Sequence, residues 1–198
     1  MRRQLLPGEL KAELLRKGIH LLIALVPSIA ALNRSHAALL LMTGTLFYTW
    51  AESMRFLGFS PPLVSSVTEA VLRRREKGRF ALAPVTLGLG ALLSLLVFPP
   101  AVAAAAVYAL AFGDSAGTVV GKFAGRFRPA FLAGKSFEGS LACFAASFIA
   151  VYLVFFEWKM SLAAGFAALL VDIFPLGDLD NILMPLAVGF SLIMFLNF

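Results

Sequence analysis

One cysteine, Cys143, stands in a chain of 198 residues, so neither a disulfide framework nor a cysteine-built metal site forms within a single copy. Charge is nearly as scarce. Asp, Glu, Lys and Arg make up 14% of the chain against 60% hydrophobic residues, a balance that excludes an ordinary soluble domain. A mean hydropathy of +0.89 indicates an integral membrane protein. Acids are the rarer sign, 11 against 17 bases, leaving a net charge of +6. In a membrane chain that surplus reports loop orientation and contact with anionic lipid, and nucleic acid is not expected as a partner.

Set against roughly 20 residues per crossing, the apolar runs predict about seven spans, at 18–32, 37–56, 81–98, 101–121, 139–156, 161–175 and 181–198. Several are short enough to require tilt or partial burial. Ahead of the first, Leu10, Leu14 and Leu15 sit among charges in 7–17, the pattern of a helix lying in the interface. A cleaved signal peptide is the rival reading, with Arg2 and Arg3 as its basic end and 28–30 (SIA) as its cleavage site, but the polar lead before the apolar run is long for one. The expected fold is an all-α polytopic transmembrane bundle of about seven spans with an N-terminal interfacial helix, one domain over 1–198.

Placing the N-terminus in the cytoplasm puts 15 of the 17 basic residues on that side and leaves only Arg34 and Lys159 outside, which the positive-inside rule favours. The C-terminus is then expected outside. The run 73–79 (RRREKGR) reads as a generic basic loop touching anionic headgroups. Glu52, Asp114, Glu138, Asp172, Asp178 and Asp180 gather on the same side, although acids obey no such rule. That convergence needs its own cause, because ionisable residues at or inside spans are costly and are usually paired or functional.

Three stretches carry candidate chemistry. In 109–126 (ALAFGDSAGTVVGKFAGR), a spacing of four sets Asp114, Thr118, Lys122 and Arg126 on one helical stripe and Gly113, Gly117, Gly121 and Gly125 on an adjoining smooth one. The glycines suit close helix packing and equally the approach of phosphate to backbone. The acid, hydroxyl and ammonium are groups that hold a metal ion and polyphosphate charge. In 134–144 (GKSFEGSLACF), Lys135 and Ser136 precede a helix start, whose free N–H groups and positive dipole end attract phosphate, with Ser140 as a further donor. A P-loop is excluded, since Pro129 stands where its first glycine belongs. In 171–186 (VDIFPLGDLDNILMPL), Pro175 and Gly177 mark a break between helices, and Asp180 and Asn181 offer either helix caps or oxygen ligands to a hard cation.

The segments 113–126, 135–144 and 178–186, in this order and spacing, resemble the membrane-embedded CTP-dependent lipid kinases: dolichol and polyprenol kinases, phytol kinases and the CTP-using diacylglycerol kinases. The resemblance covers roughly residues 9–190, and 16–22 (RKGIHLL) and 50–55 (WAESMR) resemble that family's weaker N-terminal features. Two positions depart from the pattern. Asp172 stands where Glu is common, and the usual Asp-Asp-Asn is here Asp178, Leu179, Asp180, Asn181.

The resemblance implies transfer of the γ-phosphate of CTP to the hydroxyl of a membrane lipid alcohol at the cytoplasmic face, with Mg²⁺ as cofactor. Carried over residue by residue, it assigns Asp114, Lys122, Lys135 and Glu138 to catalysis. Nucleotide contacts fall on Gly113, Ser115, Thr118, Gly121, Lys122, Lys135, Ser136, Gly139 and Ser140. Asp114 and Asp180, with Asp172, hold the metal. Lys17, His20, Glu52, Arg55 and Asn181 meet the lipid headgroup, His20 being a candidate base.

Other classes fit less well. A phosphatidate cytidylyltransferase also brings CTP to a lipid, but its basic Lys-Arg and its HGG and DR.D-type signature are missing. A CDP-alcohol phosphotransferase requires Asp-x-x-Asp-Gly-x-x-Ala-Arg, whereas Asp114 is followed by Ser115, Ala116 and Gly117. A small ion-coupled transporter is the alternative from another class; against it, the halves show no internal repeat and the acids gather at one face rather than the midplane.

Overall fold

The computed structural model describes residues 7–59, 62–71, 78–132, 134–174 and 176–196, and among them the regular structure is entirely helical. Arg2, Arg3, Arg73, Arg74, Arg75, Lys77 and Pro175 lie outside the described residues. Each apolar segment read from the sequence contains a helix. Four helical stretches are long and apolar enough to cross a membrane: Lys11–Leu32, Pro100–Phe123, Phe137–Phe155 and Gly177–Leu196. Outside those stretches, the described helices are α3 (Arg34–Phe56), which is diluted by Arg34, His36, Glu52 and Arg55, the short α4 (Pro62–Val71), and α5 (Ala83–Val97) and α9 (Trp158–Ile173).

The segment 7–17, read as an interfacial helix, is continuous with the first apolar run. α1 (Pro7–Leu21) passes through a 3-10 turn (Leu22–Leu25) directly into α2 (Val26–Leu32). Pro27 explains the tightened turn. It has no N–H to offer the carbonyl of Ile23, and the N–H of Val26 takes that carbonyl instead. The stretch Lys11–Leu32 has 22 residues; at 1.5 Å per residue it is about 33 Å long, close to a hydrocarbon core of about 30 Å. Leu14, Leu15, Leu22 and Leu25 face outward, whereas Glu13, Lys17 and His20 are buried. Positions 13, 17 and 20 share one side of the helix, so α1 turns a charged stripe into the protein and its leucines away from it.

At the centre stands α6 (Pro100–Tyr108), with Val102, Ala103, Ala105, Ala106 and Val107 fully buried. Its alanines let α2, α5, α8 (Phe137–Phe155) and α10 (Asp180–Leu196) approach closely. The same rod continues through a π turn (Ala109–Asp114) into α7 (Ser115–Phe123). Such turns are rare and recur at functional sites; this one ends on Asp114. Because α7 stops at Phe123, the predicted polar stripe ends at Lys122 and Arg126 falls in the following loop.

Capping fixes the helix starts. Asn33 accepts from His36 N–H at 3.0 Å to open α3, Ser136 accepts from Gly139 N–H at 3.1 Å to open α8, and Glu157 accepts from Lys159 N–H at 3.2 Å to open α9. Long-range pairs then gather at one end of the bundle. There α1 meets α7 through Lys122 and Glu13, the loop leading into α8 meets α9 through Lys135 and Asp172, and α5 meets α10 through Ala83 and Asn181. At the opposite end Arg34 donates to the carbonyls of Leu95 and Phe98, closing the C-terminal end of α5.

Candidate functional site

Two cavities open at the polar end. The larger, about 510 Å³, lies between α7, α8, the loop after α7 and Asp172 of α9. Lys122, Arg128 and Lys135 give it positive charge, and Thr118, Ser136 and Ser140 give it hydroxyls. Lys135 reaches Asp172 at 2.7 Å, and Ser140 donates to the other oxygen of that carboxylate at 3.1 Å. Arg128 donates to Gly134 O at 2.7 Å and to Gly121 O at 2.8 Å, tying the loop to the end of α7.

The floor of this cleft is glycine. A Cβ on Gly139 would stand 2.8 Å from both Gly117 O and Gly121 Cα, and one on Gly117 would stand 3.0 Å from the Cβ of Cys143. Only glycine at these positions lets α7 and α8 touch backbone to backbone. Gly113 and Gly125 serve the same contact, against Ser147 and Ser136 respectively. The stripe is thus a packing surface that also leaves Gly117, Gly121 and Gly139 lining the cavity. At the start of α8, Phe137 N–H donates to Phe127 O at 2.8 Å and Gly139 N–H to Ser136. Those amides already have partners, so the attraction for an anion comes chiefly from the three cations.

The smaller cavity, about 220 Å³, is more apolar. Ile19, Tyr48, Val67, Pro84 and Leu87 line it alongside Lys17, His20, Asp114, Asp178, Asp180 and Asn181. Asp114 accepts from Lys17 and lies 3.3 Å from His20 Nε2, which is also 3.4 Å from Leu110 O in the π turn. Thr118 donates to Asp114 at 3.4 Å. Asp114 faces the smaller cavity and Thr118 the larger, so one turn of helix forms the wall between them.

Several predicted residues stand apart from both cavities. Gly113 and Ser115 are buried in helix packing and line neither. Glu138 accepts from Arg126 N–H at 2.9 Å and Phe127 N–H at 3.1 Å, holding the loop rather than Lys135. Glu52 is 0% exposed and takes a bidentate pair from Arg55 at 2.7 and 2.6 Å together with Ala81 N–H at 2.7 Å. Arg55 also donates to Arg79 O at 3.1 Å. These two residues lock the entry to α5 and do not line the smaller cavity. Asn181 donates to Thr86 at 3.0 Å and Ala83 O at 3.3 Å, fixing α10 on α5 while lining the smaller cavity. The acids expected to share a metal are divided, with Asp114 and Asp180 on the smaller cavity and Asp172 on the larger. Among the described residues no three His, Cys, Asp or Glu side chains form a metal-holding group.

Two residues escaped the sequence reading. Arg128 lies in a loop with no periodic signal. Glu13, only 5% exposed and paired with Arg16 and Lys122, had one: with Lys17 and His20 it makes a charged stripe at spacings of four and three on a helix that also carries leucines. No family model, curated protein or solved structure matches the chain.

Proposed function

We propose that this membrane protein transfers the γ-phosphate of CTP to the hydroxyl of a lipid alcohol, a polyprenol or dolichol, phytol or diacylglycerol. The observation that carries the reading is the pair of cavities divided by the Asp114–Thr118 turn: a basic, hydroxyl-rich cleft sized for polyphosphate beside an apolar-walled pocket sized for the end of a lipid. In the reaction the lipid oxygen bonds to the γ-phosphorus as the bond to the bridging oxygen of CDP breaks, and the hydroxyl proton leaves to a base. His20, which lines the apolar pocket beside Asp114, is placed for that role. Lys122, Arg128 and Lys135 neutralise and orient the phosphates, which is most of what phosphoryl transfer asks of a protein.

Mg²⁺ bound to nucleotide takes one or two carboxylates, the remaining ligands being phosphate oxygens and water. Asp114 and Asp180, lining one cavity beside the phosphate cleft, fit that donor set without Asp172. The ion, when bound, supplies charge neutralisation at the transferring group. Asp172 serves Lys135 and Ser140 instead.

Purified protein given CTP labelled in its γ-phosphate and a panel of these alcohols is expected to yield a lipid phosphate separable by chromatography. With the accepted alcohol and Mg²⁺, kcat/KM for CTP is expected to exceed that for ATP, UTP or GTP by at least about tenfold, because a site that pairs with the polar edge of one base leaves buried groups unpaired with another. Equal values would remove the donor assignment alone. No lipid phosphate from any combination would overturn the kinase reading and favour an ion-coupled transporter.

Seven crossings with the N-terminal end of α1 in the cytoplasm bring both cavities to the face where a soluble nucleotide is found. With Cys143→Ala as background, Ser35→Cys and Arg79→Cys occupy exposed positions at opposite ends of the bundle. An impermeant thiol reagent added to intact cells is expected to label the first and spare the second; the reverse pattern would invert the orientation.

A further inference from the structure

We infer that Glu13 is a positioning residue for Lys122, an inference that rests on the proposed phosphoryl transfer. Glu13 is 5% exposed, and a carboxylate so placed is tolerated only with close cationic partners. It has them in Arg16, one turn along α1, and in Lys122, 109 positions away on α7. Lys122 is one of three cations on the larger cavity, its side chain being 33% exposed. Its ammonium therefore has one side on a fixed buried acid and another toward the cleft. A flexible four-carbon stem otherwise leaves a lysine free to sample many positions. Glu13 removes that freedom before phosphate arrives, and Arg16 keeps the carboxylate itself from swinging.

The same face of α1 holds the other side of the dividing turn, through Lys17 and His20 on Asp114. Residues 13 and 17 are one helical turn apart and reach residues 122 and 114, which are about two turns apart on the neighbouring rod. One rigid helix thus sets both the phosphate-facing lysine and the acid on the acceptor side.

The test uses the full-length protein in detergent or vesicles, with wild type assayed first. Glu13→Gln preserves size and removes the charge; Glu13→Asp preserves the charge and shortens the reach. Loss of a charge-assisted contact that acts only through Lys122 is expected to raise the nucleotide KM about tenfold in Glu13→Gln and by a smaller factor in Glu13→Asp, with the lipid-alcohol KM unchanged. A purely architectural role for Glu13 would move both KM values together and gain nothing from Asp. That pattern, or a wild-type nucleotide KM in Glu13→Gln, overturns the inference while leaving the kinase reading intact. Absence of lipid phosphate from wild type overturns the kinase reading itself. Should Glu13→Gln fail to fold, Glu13→Asp decides alone: an unchanged nucleotide KM overturns the assignment, and a rise confined to the nucleotide KM upholds it.

Discussion

Asp114→Asn is expected to lower turnover by about a hundred- to a thousandfold, the scale of weakening one charge-stabilising interaction in a transition state, because Asp114 would help hold the ion that supplies it. The substitution keeps the size of the side chain but takes a charge away from Lys17 and His20, which both face it. A buried ammonium left without its acid is itself destabilising by about 3–5 kcal/mol, so stability and chemistry must be separated. Lys17→Met combined with Asp114→Asn removes both members of the pair, a change that is near neutral or stabilising where the pair is buried. The double variant is expected to regain the unfolding temperature of wild type while remaining inactive. Near-normal turnover in either folded variant would reduce Asp114 to a packing role.

Gly139→Ala is expected to lower stability and activity together. The added methyl meets two backbone atoms at 2.8 Å, the carbonyl oxygen of Gly117 and the Cα of Gly121, and neither can rotate aside. α7 and α8 must part, at a cost of about 1–3 kcal/mol as for other overpacked interiors. Their separation also moves Ser136 and Ser140 away from Lys122 across the larger cavity, so activity falls with stability. Gly44→Ala is the control, because nothing lies within 4 Å of a Cβ there. Thermal unfolding in detergent should place Gly44→Ala at or above wild type and Gly139→Ala well below it. Coincident transitions for the two variants would mean that α7 and α8 are not in backbone contact.

Much of this arrangement was legible because membrane helices announce themselves by apolar length and their starts by caps. The seven segments, the helix start at Ser136 and the gathering of acids at one end were all read from local pattern. Other features depend on partners far away in the chain. Nothing near Glu52 indicates that it will accept from Ala81 N–H, 29 positions on, and nothing near Glu138 indicates that it will face the loop rather than Lys135. The continuity of α1 with α2 was hidden for a different reason. Leucines among charges imply a helix at an interface, yet the charged positions of that helix face Asp114 and Lys122 on another helix, partners that local spacing does not reveal. The division of the three aspartates likewise follows from which helix each one faces, which spacing along the chain does not encode.

The π turn at Ala109–Asp114 acts as an indexing joint in the central rod. One residue added to a helical turn rotates everything beyond it by about 100° around the axis. Upstream, Ala103, Ala105 and Ala106 are small, and Val102 and Val107 are the larger buried side chains of that half of the rod. Downstream the phase matters, because α7 has a glycine edge for α8 and a polar edge bearing Asp114, Thr118 and Lys122. Backbone count in the π turn therefore aims the polar edge. Deleting one residue from that turn would swing Asp114 away from the boundary between the two cavities.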